Sequence, residues 1–167
     1  MNDVLKCIDS RRSIREFTDE KIDENELAVL LKAALHAPSG RNDQPLFFVI
    51  LKDDRKLSDF KNFLKTGNFY NAQAILFIFE RKEDHLNDLN CGAAIENVLL
   101  AAESLGLGAC WIHSARNRLN EEDSKAFMKD LLKFDKEYVA LDAVALGHIK
   151  GLKPAMKPRN MANDKII

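Results

Sequence analysis

The chain has 167 residues, 46% of them hydrophobic and 31% charged, with a formal net charge of −1 and a pI near 6.4. That length reads as one domain over residues 1–167 with a real core, and the charge balance excludes a general attraction to nucleic acid or anionic membranes. No apolar run reaches the roughly 18 residues of a membrane span, and residues 1–30 show no signal-peptide pattern. The scattered cysteines Cys7, Cys91 and Cys110 lack CxxC spacing, which fits reduced thiols in a cytoplasmic protein and neither a disulfide frame nor a zinc site.

In chain order, Val4, Leu5 and Ile8 have the spacing of a short amphipathic helix over 2–10. Next comes Arg11-Arg12-Ser13-Ile14-Arg15, three cations and a hydroxyl without an acid. If extended, this segment turns Arg11, Ser13 and Arg15 to one side and Arg12 and Ile14 to the other. One edge then offers two guanidinium forks, suited to phosphate oxygens or to a polarised carbonyl on a ring. The plain alternative is a solvated basic loop. Asp23 and Glu26 make an Asp-x-x-Glu helix start. Leu27, Leu30, Leu31, Ala34 and Leu35 supply the buried stripe of that helix, which Pro38 ends. Residues 37–45 are turn formers and amides directly before six apolar residues at 46–51, expected as a strand buried on both faces. A loop so placed is where binding residues tend to be held.

A second amphipathic helix over 53–63 turns Leu57, Phe60 and Leu64 inward, 65–71 is irregular, and 73–79 is another buried strand. Residues 80–88 are charged and expected to be exposed. The helix over 89–105 is the most apolar, with a surface too wide for one packed face, as in a central helix or a subunit interface, and a dimer interface is the favoured reading. Gly106-Leu107-Gly108 closes it, and a short strand over 109–112 leads to His113. A polar helix starting at Asn120 or the residues just before it runs through Leu132, and 138–147 is the fourth strand. The tail from His148 carries Lys150, Lys153, Lys157, Arg159 and Lys165 against Asp164, with a candidate last strand at Lys165-Ile166-Ile167. Helices and strands interleave, but GxGxxG and GxxxxGK[ST] are absent, so a Rossmann or P-loop site is poorly supported. An α+β sheet wrapped by helices fits better.

Four stretches carry a family resemblance: residues 10–17 around the basic segment; residues 37–45; Cys91-Gly92-Ala93-Ala94-Ile95-Glu96-Asn97 with the apolar turns and Gly106-Leu107-Gly108 behind it; and Ala145-Leu146-Gly147 followed by Lys157-Pro158-Arg159. Together they resemble the FMN-dependent nitroreductase family, in its short-chain branch. The resemblance implies a nitroreductase-like fold with a mostly antiparallel central sheet and an intertwined homodimer, with FMN at the subunit interface. It implies that Arg11 and Ser13, with Lys157 and Arg159, hold the ribityl phosphate. Arg15 would lie by the N1–C2=O edge of the flavin ring, and Arg12 at a contact made partly through backbone. Pro38, Ser39, Gly40 and Asn42 match the loop that the other subunit lays on the flavin, with Gln44 supporting it. Asn68, near Lys65, falls by the ring's polar edge, and Ile112 and His113 follow the strand that passes one flavin face. His113 stands where many relatives have glycine, so it narrows the pocket or adds a donor. The implied C-terminal arm is short.

The implied activity is hydride transfer from NADH or NADPH through FMN to nitroaromatic or quinone-like acceptors, by a ping-pong mechanism without a side-chain nucleophile. Other chemistry on the same fold (ene reduction, dehalogenation) and a non-enzymatic flavin binder or sensor stay open as alternatives. His36, His85, His113 and His148 lack metal-ligand spacing, so no metal is expected. Cys91 and Cys110 read as core thiols, Trp111 as packing, and Glu96 as half of an ion pair across the dimer interface.

Overall fold

Alternation along two central strands sets the layers of the molecule. The computed structural model describes residues 2–64, 69–80, 86–133 and 138–160. Within them β1 (Leu46–Leu51), β2 (Ala74–Glu80), β3 (Leu107–Trp111) and β4 (Val139–His148) form one sheet in the order β1-β2-β4-β3. Each neighbouring pair is antiparallel. On β2, Ile75, Phe77 and Phe79 face one core cluster while Ala74, Leu76 and Ile78 face another. The first cluster is closed by α3 (Asp54–Leu64), α5 (Ala115–Leu119) and α6 (Glu122–Leu132), through Leu57, Phe60, Leu119, Met128 and their neighbours. The second is closed by α2 (Glu24–Leu35) and α4 (Asn87–Ser104), through Leu27, Leu30, Ile95, Val98 and Leu99. The result is an α+β sheet covered on both faces.

The helix starts follow local chemistry. Asp23 and Glu26 close a full capping box on α2: the Asp23 carboxylate accepts from Asn25 N at 2.7 Å and Glu26 accepts from Asp23 N at 3.1 Å. Asn2 caps α1 (Asp3–Ser10), its Oδ1 accepting from Leu5 N at 3.0 Å. α1 buries none of its residues, and Val4, Leu5 and Ile8 remain exposed. α4 lies centrally, with Cys91, Ala94, Ile95, Val98, Leu99 and Ala102 buried. Among the described residues, α1 thus carries an apolar stripe that the rest of the chain leaves uncovered.

Four expectations need correction. Among the described residues β1 is an edge strand with one neighbour, so residues 46–50 are half-buried and only Leu51 is buried. Glu80 belongs to β2 and is 2% exposed, its carboxylate accepting from the Asn87 amide; α4 starts at Asn87 rather than after Asp88. Leu107 and Gly108 join β3, and only Gly106, at φ 75°, acts as the turn. The polar helix expected from about Asn120 starts at Glu122 as α6, and a separate short helix, α5, precedes it, with Asn120 and Glu121 between them. Asn120 turns its amide into the sheet, donating to Ala140 O at 2.8 Å and accepting from Ala140 N at 2.9 Å. The candidate strand at 165–167 lies outside the described residues.

Residues 11–18 run as a strap along β3 and β4. Ser13 makes a parallel bridge to Ala109, and Phe17 an antiparallel one to Ile149. Ile14 N donates to Ala109 O, and Thr18 N to His148 O, both at 2.9 Å. Two glycines permit this contact. A Cβ on Gly108 would stand 2.9 Å from Ile14 Cγ2, and one on Gly147 would stand 2.8 Å from Phe17 Cδ1. The glycines of the two C-terminal motifs are thus the floor on which the basic segment lies.

Candidate functional site

The strap alternates as an extended segment should. Ile14 is buried, at 4% exposure, while Arg15 is exposed. Ser13 and Arg15 line a cavity of about 330 Å³ whose other wall is the start of the tail, Ile149, Lys150, Gly151, Leu152 and Pro154. Lys150 N donates to Glu16 O at 3.1 Å and keeps the two segments together. The tail is also pinned by Glu103 of α4, which accepts from Lys153 Nζ and Ser10 Oγ, each at 2.5 Å. Burial pushes the Glu103 carboxyl up, but these two hydrogen bonds and the charges of Lys153 and Arg12 hold it below its ordinary value. Lys157 and Arg159 are exposed in the irregular tail and are not part of the cavity wall.

Arg11 and Arg12 diverge. Arg11 Nε lies 3.7 Å from Glu96 Oε1 of its own chain, so Glu96 has an ion-pair partner within the chain. Arg12 turns back onto α1, its guanidinium donating to Asp9 O at 2.7 Å and Arg11 O at 2.6 Å, while its Nε is buried without a hydrogen-bond partner. Its guanidinium thus caps the helix end, in keeping with the preference for cations there.

The loop at 37–45 is held under strain. Arg41, Asn42 and Gln44 all have φ between 48° and 58°, a conformation that costs non-glycine residues and recurs at ligand sites. Gln44 supports the loop as expected: its N–H donates to Ser39 Oγ at 3.1 Å and its amide to Asn42 Oδ1 at 3.3 Å. Pro38 and Ser39 line a smaller cavity of about 100 Å³. Gly40 N donates to Asn90 Oδ1 at 3.0 Å, and Asn90 in turn to Asn87 Oδ1 at 3.4 Å, so the loop rests on buried amides of α4.

Ile112 is buried, and its N–H donates to Ala143 O at 2.8 Å. His113 follows it, with a side chain 69% exposed and Nδ1 2.9 Å from Asp142 Oδ1. Asp142 is itself 4% exposed. It escapes the sequence reading, although a lone carboxylate in the apolar run 138–147 is a signal, since a buried charge needs partners. Trp111 and His113 both bond to it, and Cys91 Sγ stands 3.9 Å from its Oδ2. Burial raises the Asp142 pKa, opposed by the Trp111 and His113 hydrogen bonds and by the charge of Arg116. Burial and the neighbouring Asp142 charge push the Cys91 thiol far up, so it stays protonated. Trp111 is 42% exposed and meets His113 edge-on, which corrects the expectation of a packed tryptophan. Asn68 lies outside the described residues, as does Lys65. Among the described residues no cluster of His, Cys, Asp and Glu could hold a metal ion, and no helix is long and apolar enough to cross a membrane.

Residues 3–161 match the family model described as "Putative TM nitroreductase". The chain belongs to the nitroreductase family. Among its relatives, a protein of Archaeoglobus fulgidus named "Putative NADH dehydrogenase/NAD(P)H nitroreductase" is 34% identical over 159 residues, 92% of this chain and 89% of the relative. A Bacillus subtilis protein named FMN reductase (NADPH) is 27% identical, over 93% of this chain and 71% of that one. In three dimensions the nitroreductase of Bacteroides fragilis, solved with bound FMN, superposes with a TM-score of 0.90 at 25% identity, covering 100% of both chains. The fold is that of the nitroreductases.

Proposed function

We propose that this chain is an FMN-dependent oxidoreductase that takes electrons from NADH or NADPH. It acts as a homodimer and reduces nitroaromatic or quinone-like acceptors by a ping-pong mechanism. The observation that carries this is the cavity between Ser13 and Arg15 of the strap and Lys150 of the tail, where basic groups from both ends of the chain converge. The donor set fits the cofactor: Arg guanidiniums and a hydroxyl suit a phosphate dianion and a ring carbonyl. Arg11, and Lys157 and Arg159 of the exposed tail, lie outside that cavity's wall and in this reading join Ser13 to hold the ribityl phosphate, with Arg12 contributing backbone beside them. Arg15 faces the polar edge of the ring, where a fixed cation favours the added negative charge of the reduced form. Pro38, Ser39, Gly40 and Asn42 reach the cofactor from the other protomer, and Asn68 serves the ring's polar edge. Ile112 and His113 line one face.

Bound FMN supplies the hydride carrier that no side chain provides. The chain's own residues bind, orient and tune, and donor and acceptor use one place in turn. The exposed α1 stripe of Val4, Leu5 and Ile8 supports a subunit contact. Initial rates measured over a grid of NADH and p-benzoquinone concentrations test the sequence of events. Parallel double-reciprocal lines are expected, and intersecting lines would overturn the shared-site mechanism.

A further inference from the structure

A β-bulge aims Asp142. In the pairing of β2 with β4, Ile78 faces Asp142 and Phe79 faces Ala140, so Leu141 is an extra residue. Leu141 belongs to the core cluster on the α4 side, and Asp142 reaches Cys91 on α4, so two consecutive side chains share one face. Without the bulge, alternation would send the carboxylate to the other face. There it would meet the aromatic cluster instead of Trp111 and His113.

The donors around this carboxylate decide its role. An indole N–H can only donate, and the Cys91 thiol stays protonated. Asp142 therefore acts as an acceptor, and the imidazole nitrogen 2.9 Å from it carries its hydrogen toward it. The charged groups around the carboxylate are Asp88 and Arg116, ion-paired at 2.5 Å, and buried Glu80 on β2. With Nδ1 occupied, Nε2 is the nitrogen left to exchange a proton, on a side chain 69% exposed. His113 lies four residues along the chain from Ala109, the residue bridged by Ser13. That is roughly 13 Å of extended backbone, a span suited to a cofactor with its phosphate at one end and its reacting ring at the other.

We propose that Asp142 holds His113 in the Nδ1–H tautomer so that Nε2 delivers a proton to the acceptor during its reduction. This rests on the FMN assignment above. The balance is simple: reduction of a quinone or a nitro group by two electrons takes one hydride and one proton. The hydride comes ultimately from NAD(P)H and enters the acceptor. The proton leaves protonated His113 through Nε2, an acceptor oxygen gains an O–H bond, and the neutral imidazole is reprotonated by water. For a quinone the product is the hydroquinone; for a nitro group, a nitroso compound and water. His113 touches the acceptor in this scheme, and Asp142 is a positioning residue.

Two measurements test it. The first needs no flavin: long-range ¹H–¹⁵N correlation on the cofactor-free protein reads the His113 tautomer. Nδ1–H is expected, with a shift away from it in Asp142→Asn; Nε2–H in the unaltered protein would overturn the proposal. The second uses FMN-loaded protein reduced with one equivalent of NADH and mixed anaerobically with either p-benzoquinone or ferricyanide, which takes electrons without a proton. In His113→Gln, reoxidation by the quinone should slow by about 100-fold or more relative to reoxidation by ferricyanide, the range of general acid catalysis. Equal slowing with both oxidants, or none with either, would overturn it. A protein that takes up no FMN would overturn the cofactor assignment and the donor role with it. A wrong tautomer in a protein that holds FMN would overturn this proposal alone.

Discussion

Arg11 and Arg15 sit four residues apart on one strap, and the proposed site gives them different tasks. Arg11 is half-buried beside Glu96, the proposed site gives it the phosphate, and hydrogen bonds to charged groups contribute about 1.5–3 kcal/mol each. Arg11→Ala should weaken FMN binding by about 10-fold or more, read by quenching of flavin fluorescence, and Arg11→Ala with Arg159→Ala should abolish retention. Arg15 is exposed at the cavity, and its charge opposes the upward push of burial on the Cys110 thiol. Arg15→Gln should lower the midpoint potential of bound flavin in a potentiometric titration; an unchanged potential would remove it from the ring's edge. Glu103 gives a pH signature. Its folded-state pKa is depressed, so its contribution is present above the ordinary carboxylate pKa of about 4.3 and is lost as pH falls through the folded value. Urea unfolding of Glu103→Gln should show a deficit of about 1–2 kcal/mol near neutrality that closes in acid; a constant deficit would contradict the Lys153–Ser10 anchor.

Among elements, the strap and its glycine floor separate cofactor binding from plain stability. Gly147→Ala would push a Cβ against Phe17, an overpacking that costs about 1–3 kcal/mol, and should lower both the melting temperature and FMN affinity. Asp23→Ala removes the α2 cap at about 1 kcal/mol and should lower the melting temperature alone. The helices and strands were legible in the sequence because apolar spacing encodes them locally: Leu57, Phe60 and Leu64 are buried as expected, and the Asp23–Glu26 box forms. The support given by Gln44 was legible too. What the sequence hid depends on tertiary register. The edge position of β1, the bulge at Leu141 that aims Asp142, and the turn of Arg12 back onto α1 each follow from which elements become neighbours. Glu80 reads as surface charge until Asn87 is seen beside it.

At the scale of the whole molecule, the protein needs a second copy of itself on this account. The apolar face of α1 is uncovered, and the proposed site takes the strained loop at 37–45 from the other protomer. Ile8→Glu should therefore shift sedimentation toward monomer and release FMN together; a monomer that keeps its flavin would contradict the shared site. The most direct measurement is an anaerobic absorbance spectrum of the FMN-reconstituted protein, before and after NADH and then NADPH, followed by a nitroarene or quinone. The account predicts flavin bands that bleach with a nicotinamide donor and return with the acceptor. Bound flavin that never bleaches would contradict the oxidoreductase assignment, and protein that retains no flavin would contradict the site itself.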